Sequence, residues 1–148
     1  MVGLIIFAIP ICVADWRYRK IPNIYIEIIC YEVIFERVIF GIASIPTQLV
    51  TFLITCIGLL ARMGMGDAKL FLIASLALNL TGLAQLGFLV MTIYIMAIAQ
   101  VLLMWAHSRA IPHSIPMALA IFIGTALYLA ACMRPTLQEY ANALVNSW

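Results

Sequence analysis

Charge is what this sequence has least of. Only 9% of its 148 residues are Asp, Glu, Lys or Arg, against 66% hydrophobic residues. An average soluble chain is roughly a quarter charged. A soluble domain of this length has no interior large enough to hide so much apolar surface. With a mean hydropathy of +1.15, the composition excludes an ordinary soluble fold and implies a polytopic membrane protein. The net charge is +2 and no Lys/Arg run is long, so a phosphate-tracking stripe is absent and nucleic acid is not an expected partner. The four cysteines, Cys12, Cys30, Cys56 and Cys132, stand singly in apolar stretches with no Cys-x-x-Cys pair. Zinc and thiol-redox chemistry therefore lack a motif, and the cysteines read as small buried apolar groups. Histidine is scarce too: His107 and His113 are the only imidazoles, and they read as surface loop residues. No serine lies in a nucleophile-elbow pattern, and no internal repeat or low-complexity segment stands out. The apolar run Val2 to Ala14 has no basic residue before it and no small-residue cleavage pattern after it. It reads as a first membrane helix rather than a signal peptide.

What is present is a series of apolar runs separated by turn signals. The pattern predicts an all-α bundle of about six transmembrane helices in one membrane-embedded domain, residues 1–148. The expected helices are Val2 to about Tyr18, Pro22 to about Gly41, Thr47 to Ala61, Asp67 to about Leu80, Leu83 to about Ala106, and Ile115 to Ala131. Proline at 22 suits a first helical turn, and Asn79-Leu80-Thr81-Gly82 is a turn signal. A polar tail follows from about 133, with Trp148 placed for a membrane interface. Six spans put Arg17, Arg19, Lys20, Arg62, Lys69 and Arg109 on one face and Arg37 and Arg134 on the other. The positive-inside rule then makes the first face cytoplasmic, with both termini outside.

Two acids fall on that basic face. Asp15 ends the first apolar run, which is shorter than the roughly 20 residues a bilayer needs. Asp67 follows Gly64-Met65-Gly66, a glycine loop expected to deliver it to the start of a helix. Each has an ordinary explanation: Asp15 as an interfacial acid paired with Arg19 one turn on, Asp67 as a helix N-cap. Together on one face, near hydrocarbon where ionisable groups are costly, they suggest chemistry. Two close carboxylates share a proton and titrate as a pair. Such a pair activates a water: the ionised member takes its proton during attack on a carbonyl, and the protonated member hydrogen-bonds the carbonyl oxygen. Peptide hydrolysis fits, without a metal or other cofactor.

Asp15, then Ile21-Pro22-Asn23, and later Gly64-Met65-Gly66-Asp67-Ala68-Lys69-Leu70, resemble the motifs of the type IV prepilin peptidases, membrane aspartyl proteases of the Gly-x-Gly-Asp kind. The resemblance covers essentially the whole chain. It implies that Asp15 and Asp67 are the catalytic pair and that Gly64 and Gly66 shape the loop presenting Asp67. Lys69 follows the motif, as a headgroup anchor or as a source of local field. It further implies a substrate: a type IV pilin-like precursor, cut at the cytoplasmic face of the bacterial inner membrane where its short basic leader meets an apolar helix. Larger members carry a cysteine-paired cytoplasmic domain after the first helix and methylate the new N-terminus. Here only seven residues separate Asp15 from Asn23, which implies a peptidase-only form like those serving Flp/Tad or conjugative pili. The segment Ile111 to Pro116 resembles the family only loosely.

The main rival is a small transporter or proton-relay protein using Asp15, Glu32 and Asp67 as carriers. A non-catalytic assembly protein is a third reading; it is disfavoured because both motif aspartates are present. Presenilin-like proteases share Gly-x-Gly-Asp, but their partner acid follows a tyrosine, whereas Asp15 follows Ala14. Glu36 and Arg37 are expected at the outer end of the second helix. Glu27 is expected to snorkel or line the site. Glu32 falls nearest mid-membrane with no evident partner in sequence; the favoured reading is a protonated or hydrogen-bonded bundle residue, since an unpaired charge there is costly, and the alternatives are a supporting polar group or an ion path.

Overall fold

The computed structural model describes residues 2–61, 63–109 and 116–145, and every regular element among them is helical. The described residues form seven helices: α1 (Val2–Ile6), α2 (Ala8–Tyr18), α3 (Asn23–Phe40), α4 (Ile45–Leu60), α5 (Met65–Leu78), α6 (Leu83–Ser108) and α7 (Met117–Val145). The all-α expectation holds. Arg62, His113, Ser114 and Trp148, which entered the sequence reading, lie outside the described residues.

The expected first helix is divided at Phe7. Pro10 explains this: it has no N–H for the carbonyl of Ile6, and its ring crowds that carbonyl. The path stays helical, since Phe7 N–H still donates to Gly3 O and Ile11 N–H to Phe7 O, at 2.8 and 3.0 Å. α4 begins two residues before the expected Thr47, because Ser44 serves as N-cap and its Oγ accepts from Thr47 N–H at 3.4 Å. α5 begins at Met65, so Asp67 is its third residue and Gly64 its N-cap. α7 runs past the expected end at Ala131 to Val145, and does so through Pro135, which lacks the N–H for the Ala131 carbonyl.

α5 is the centre of the bundle. It packs against α3, α4 and α7, and it buries Leu70, Phe71, Ile73, Ala74 and Ala77. A helix apolar all round belongs in an interior. α4 turns the buried threonines Thr47, Thr51 and Thr55 inward. The hydroxyls of Thr51 and Thr55 donate to the carbonyls one turn back, at 2.9 and 2.8 Å. This satisfies them without an outside partner, and their small size lets helices approach. α7 packs along α6 and also touches both α2 and α5, so it links the two helices that carry Asp15 and Asp67.

Glu32 does have a partner. Its two carboxylate oxygens accept from the N–H of Gly3 at 3.0 and 2.7 Å. This binds the first turn of α1 to α3, at the end of α1–α2 remote from Asp15. Glu36 and Arg37 pair at 3.6 Å near the end of α3. Among the described residues one helical stretch, Leu83–His107, is long and apolar enough to cross a membrane by itself. Ile45–Leu60 and Met117–Cys132 are apolar but shorter.

Candidate active site

Asp15 and Asp67 line the same cavity. The cavity has a volume of about 320 Å³, and its wall also includes Arg19, Lys20, Ile21, Asn23, Gly64, Met65, Gly66 and Lys69. Asp15 comes from the last turn of α2, which stops at Arg19 in the left-handed conformation (φ 53°). Arg19 N–H closes the helix on the carbonyl of Asp15 at 3.0 Å. The Asp15 side chain is only 6% exposed, and its Oδ2 accepts from the backbone N–H of Ala118 at 3.0 Å. Ala118 lies in the first turn of α7, where N–H groups have no partner inside the helix. The positive charge of Arg19 also acts on Asp15.

Asp67 sits in the first turn of α5, at the positive end of the helix dipole, where an acid is favoured. It is not the N-cap. Its Oδ1 is buried with no hydrogen-bond partner, and it lies within the electrostatic reach of Asp15. An unpaired buried carboxylate oxygen is costly, so the folded protein keeps an acceptor at the cavity that no protein group satisfies.

The glycines are needed for space. Gly64 has an ordinary extended backbone (φ −61°, ψ 138°), so it is no left-handed hinge. A Cβ there would stand 2.7 Å from Asp67 Oδ2. Gly66 lies inside α5, and a Cβ on it would meet the Ile21 side chain at 3.1 Å. Ile21 is thus pressed against Gly66. Lys69 Nζ donates to Asn23 Oδ1 at 3.4 Å, joining the N-terminal part of α5 to the first residue of α3.

Other candidates lie elsewhere. Glu27 is exposed and outside the cavity wall, and His107 is exposed at the end of α6. Among the described residues no group of three His, Cys, Asp or Glu is placed to hold a metal ion. A second cavity of about 260 Å³ between α4, α5, α6 and α7 is apolar, with Phe71, Ile93 and Ile121 in its wall. The group missed from the sequence is the N–H of Ala118. The only signal was Pro116, which marks a helix start without saying what that start faces.

The model of the type IV leader peptidase family matches residues 2–129. The chain belongs to this family. The match spans α1 to α6 and the first part of α7, so both cavity-lining aspartates, the two glycines and Lys69 fall within the leader peptidase region. Comparison with curated proteins and with solved structures returned no match. The leader peptidase assignment therefore stands on the family match, and the geometry above stands beside it.

Proposed function

We propose that this leader peptidase family member is an intramembrane aspartyl endopeptidase that removes the basic leader from type IV pilin-like precursors. The observation that carries the proposal is the shared cavity: Asp15 held by the Ala118 N–H, and Asp67 with a free acceptor, on one wall. Asp15 and Asp67 share one proton. A water between them loses a proton to the ionised carboxylate as its oxygen bonds to the scissile carbonyl carbon. The protonated carboxyl donates to the carbonyl oxygen, which becomes a hydroxyl of the tetrahedral intermediate. On collapse the C–N bond breaks, the nitrogen takes a proton from one carboxyl, and the other recovers the carbonyl proton. Gly64 and Gly66 let Asp67 and the Ile21 segment approach. Lys69 joins the site to Asn23 and adds positive charge to the cavity. The chemistry needs no cofactor.

The chain acts as one peptidase domain, residues 1–148, crossing the bacterial inner membrane several times. Large apolar side chains such as Phe35, Val38, Phe52, Leu60, Leu103 and Trp105 are exposed on its helices. So much apolar surface calls for lipid as its solvent. Arg17, Arg19, Lys20, Lys69 and Arg109 lie in the helix ends and turns at the aspartate end, which supports a cytoplasmic site. A transporter would set its acids through the membrane depth. Here Glu32 is engaged with Gly3, away from the two aspartates.

The test is cleavage in membranes. Wild type, Asp15→Asn and Asp67→Asn are each co-expressed with a pilin-like precursor, and leader loss is read as a gel shift. Cleavage by wild type alone, at equal expression, supports the proposal. Cleavage by either variant sinks the paired-acid mechanism, and failure of wild type on every such precursor sinks the substrate assignment.

A further inference from the structure

Gln100 is a polar residue inside α6, in the half towards its C-terminus, on the helical stretch that is long and apolar enough to cross a membrane by itself. It is 8% exposed. Burying an amide in such a place is unfavourable unless its groups are paired. Its Nε2 is paired: it donates to the backbone carbonyl of Pro116 at 3.0 Å. Its Oε1 is buried with no partner, so satisfying its own groups does not account for the amide. Pro116, itself fully buried, immediately precedes α7. Two residues on, the N–H of Ala118 donates to Asp15 Oδ2. The entry to α7 is thus held from two sides, by Gln100 on α6 through a carbonyl and by Asp15 on α2 through an N–H.

We propose that Gln100 is a positioning residue for the hydrolytic reaction, anchoring the first turn of α7 so that the Ala118 N–H holds the Asp15 carboxylate. It is not part of the wall of the aspartate cavity and acts through Pro116 and Ala118. The inference rests on the aspartyl-protease reading. Losing the Nε2 donor frees the Pro116 carbonyl and lets the turn drift. A displacement of about 1 Å at a catalytic group costs up to roughly a hundredfold in rate.

The experiment compares wild type, Gln100→Met and Gln48→Met in cleavage kinetics. The substrate is a precursor with a basic leader and an apolar helix. Methionine keeps the volume of glutamine and deletes the amide. Gln48, on α4, is the control: it accepts from Ser75 Oγ at 3.4 Å, and its Nε2 is buried without a partner. The expected result is a fall in kcat of about tenfold to a hundredfold for Gln100→Met, with KM within about twofold, thermal stability close to wild type, and undiminished kcat for Gln48→Met. Gln100→Asn withdraws the donor by one methylene while keeping an amide, and it should show the same loss even if the methionine variant does not accumulate. Wild-type kcat in the Gln100 variants overturns the inference alone. An equal loss of kcat and stability in the Gln48 and Gln100 variants also overturns it, as a general packing effect. An inactive wild type overturns the protease reading first and the inference with it.

Discussion

Gly64 and Asp67 are packed so closely that a Cβ on the first would stand 2.7 Å from Oδ2 of the second. Gly64→Ala therefore pushes the carboxylate off its position while leaving the ordinary backbone of the loop unstrained. Cleavage should fall by about tenfold to a hundredfold, with expression and thermal stability near wild type. Gly66→Ala presses on the Ile21 side chain, at 3.1 Å from Cβ and 3.3 Å from Cγ1 and Cδ1, and Ile21→Ala, which removes the last two atoms, should restore part of its activity. Cleavage rates of the three proteins, normalised to membrane content, check this.

Asp15→Asn and Asp67→Asn each remove one titrating member of the pair. General acid–base groups of this kind contribute about 10²–10⁴-fold, so both variants should accumulate precursor. The pH dependence separates this mechanism from a single-acid one. A pair that works with one shared proton is inactive both when doubly protonated and when doubly ionised. The plot of kcat/KM against pH should then be bell-shaped in wild type. A profile with a single limb would show that only one carboxyl has to titrate.

The aspartate motifs were legible because they are local: Gly64, Gly66 and Asp67 lie within one helical turn, and Asp15 stands at the end of an apolar run. The all-helical architecture was legible from the same apolar runs. Helix ends were less so, since Ser44 moved the start of α4 and α7 continues to Val145 through Pro135, a residue that reads as a helix stop. The break at Phe7 was readable in principle, because Pro10 denies Ile6 its partner. The Ala118 N–H was not readable at all. A backbone donor has no residue identity, and its partner lies 103 positions away. Glu32 is expected as a protonated or hydrogen-bonded bundle residue, but its partner could not be named for a related reason: it is the N–H of Gly3, which leaves no mark in the sequence.

Glu32 gives a stability prediction independent of catalysis. Its carboxylate binds the first turn of α1, where N–H groups are otherwise unpaired. Hydrogen bonds to a charged acceptor contribute about 1.5–3 kcal/mol. Glu32→Leu should lower stability in detergent by about that amount, while Glu32→Gln, which keeps one acceptor, should lose less. Because Gly3 is remote from Asp15 along α1–α2, kcat of the folded fraction should change little. A large kcat loss in Glu32→Gln at unchanged stability would favour the proton-relay reading.

Gly124 and Gly87 should respond oppositely to alanine. Gly124, on α7, faces α6 so closely that a Cβ would meet the Ile93 backbone Cα at 2.7 Å. Backbone cannot rotate aside as a side chain can, so α6 and α7 must separate. Overpacking of this kind costs about 1–3 kcal/mol. Gly87, on α6, has nothing within 4 Å of an added Cβ. Alanine there only restricts the unfolded chain and improves helix propensity, a gain of about 0.5–1 kcal/mol. Thermal unfolding of the two variants in the same detergent should move the midpoint down for Gly124→Ala and up for Gly87→Ala. Because α7 also carries the Ala118 N–H that holds Asp15, Gly124→Ala should slow cleavage as well, and Gly87→Ala should not.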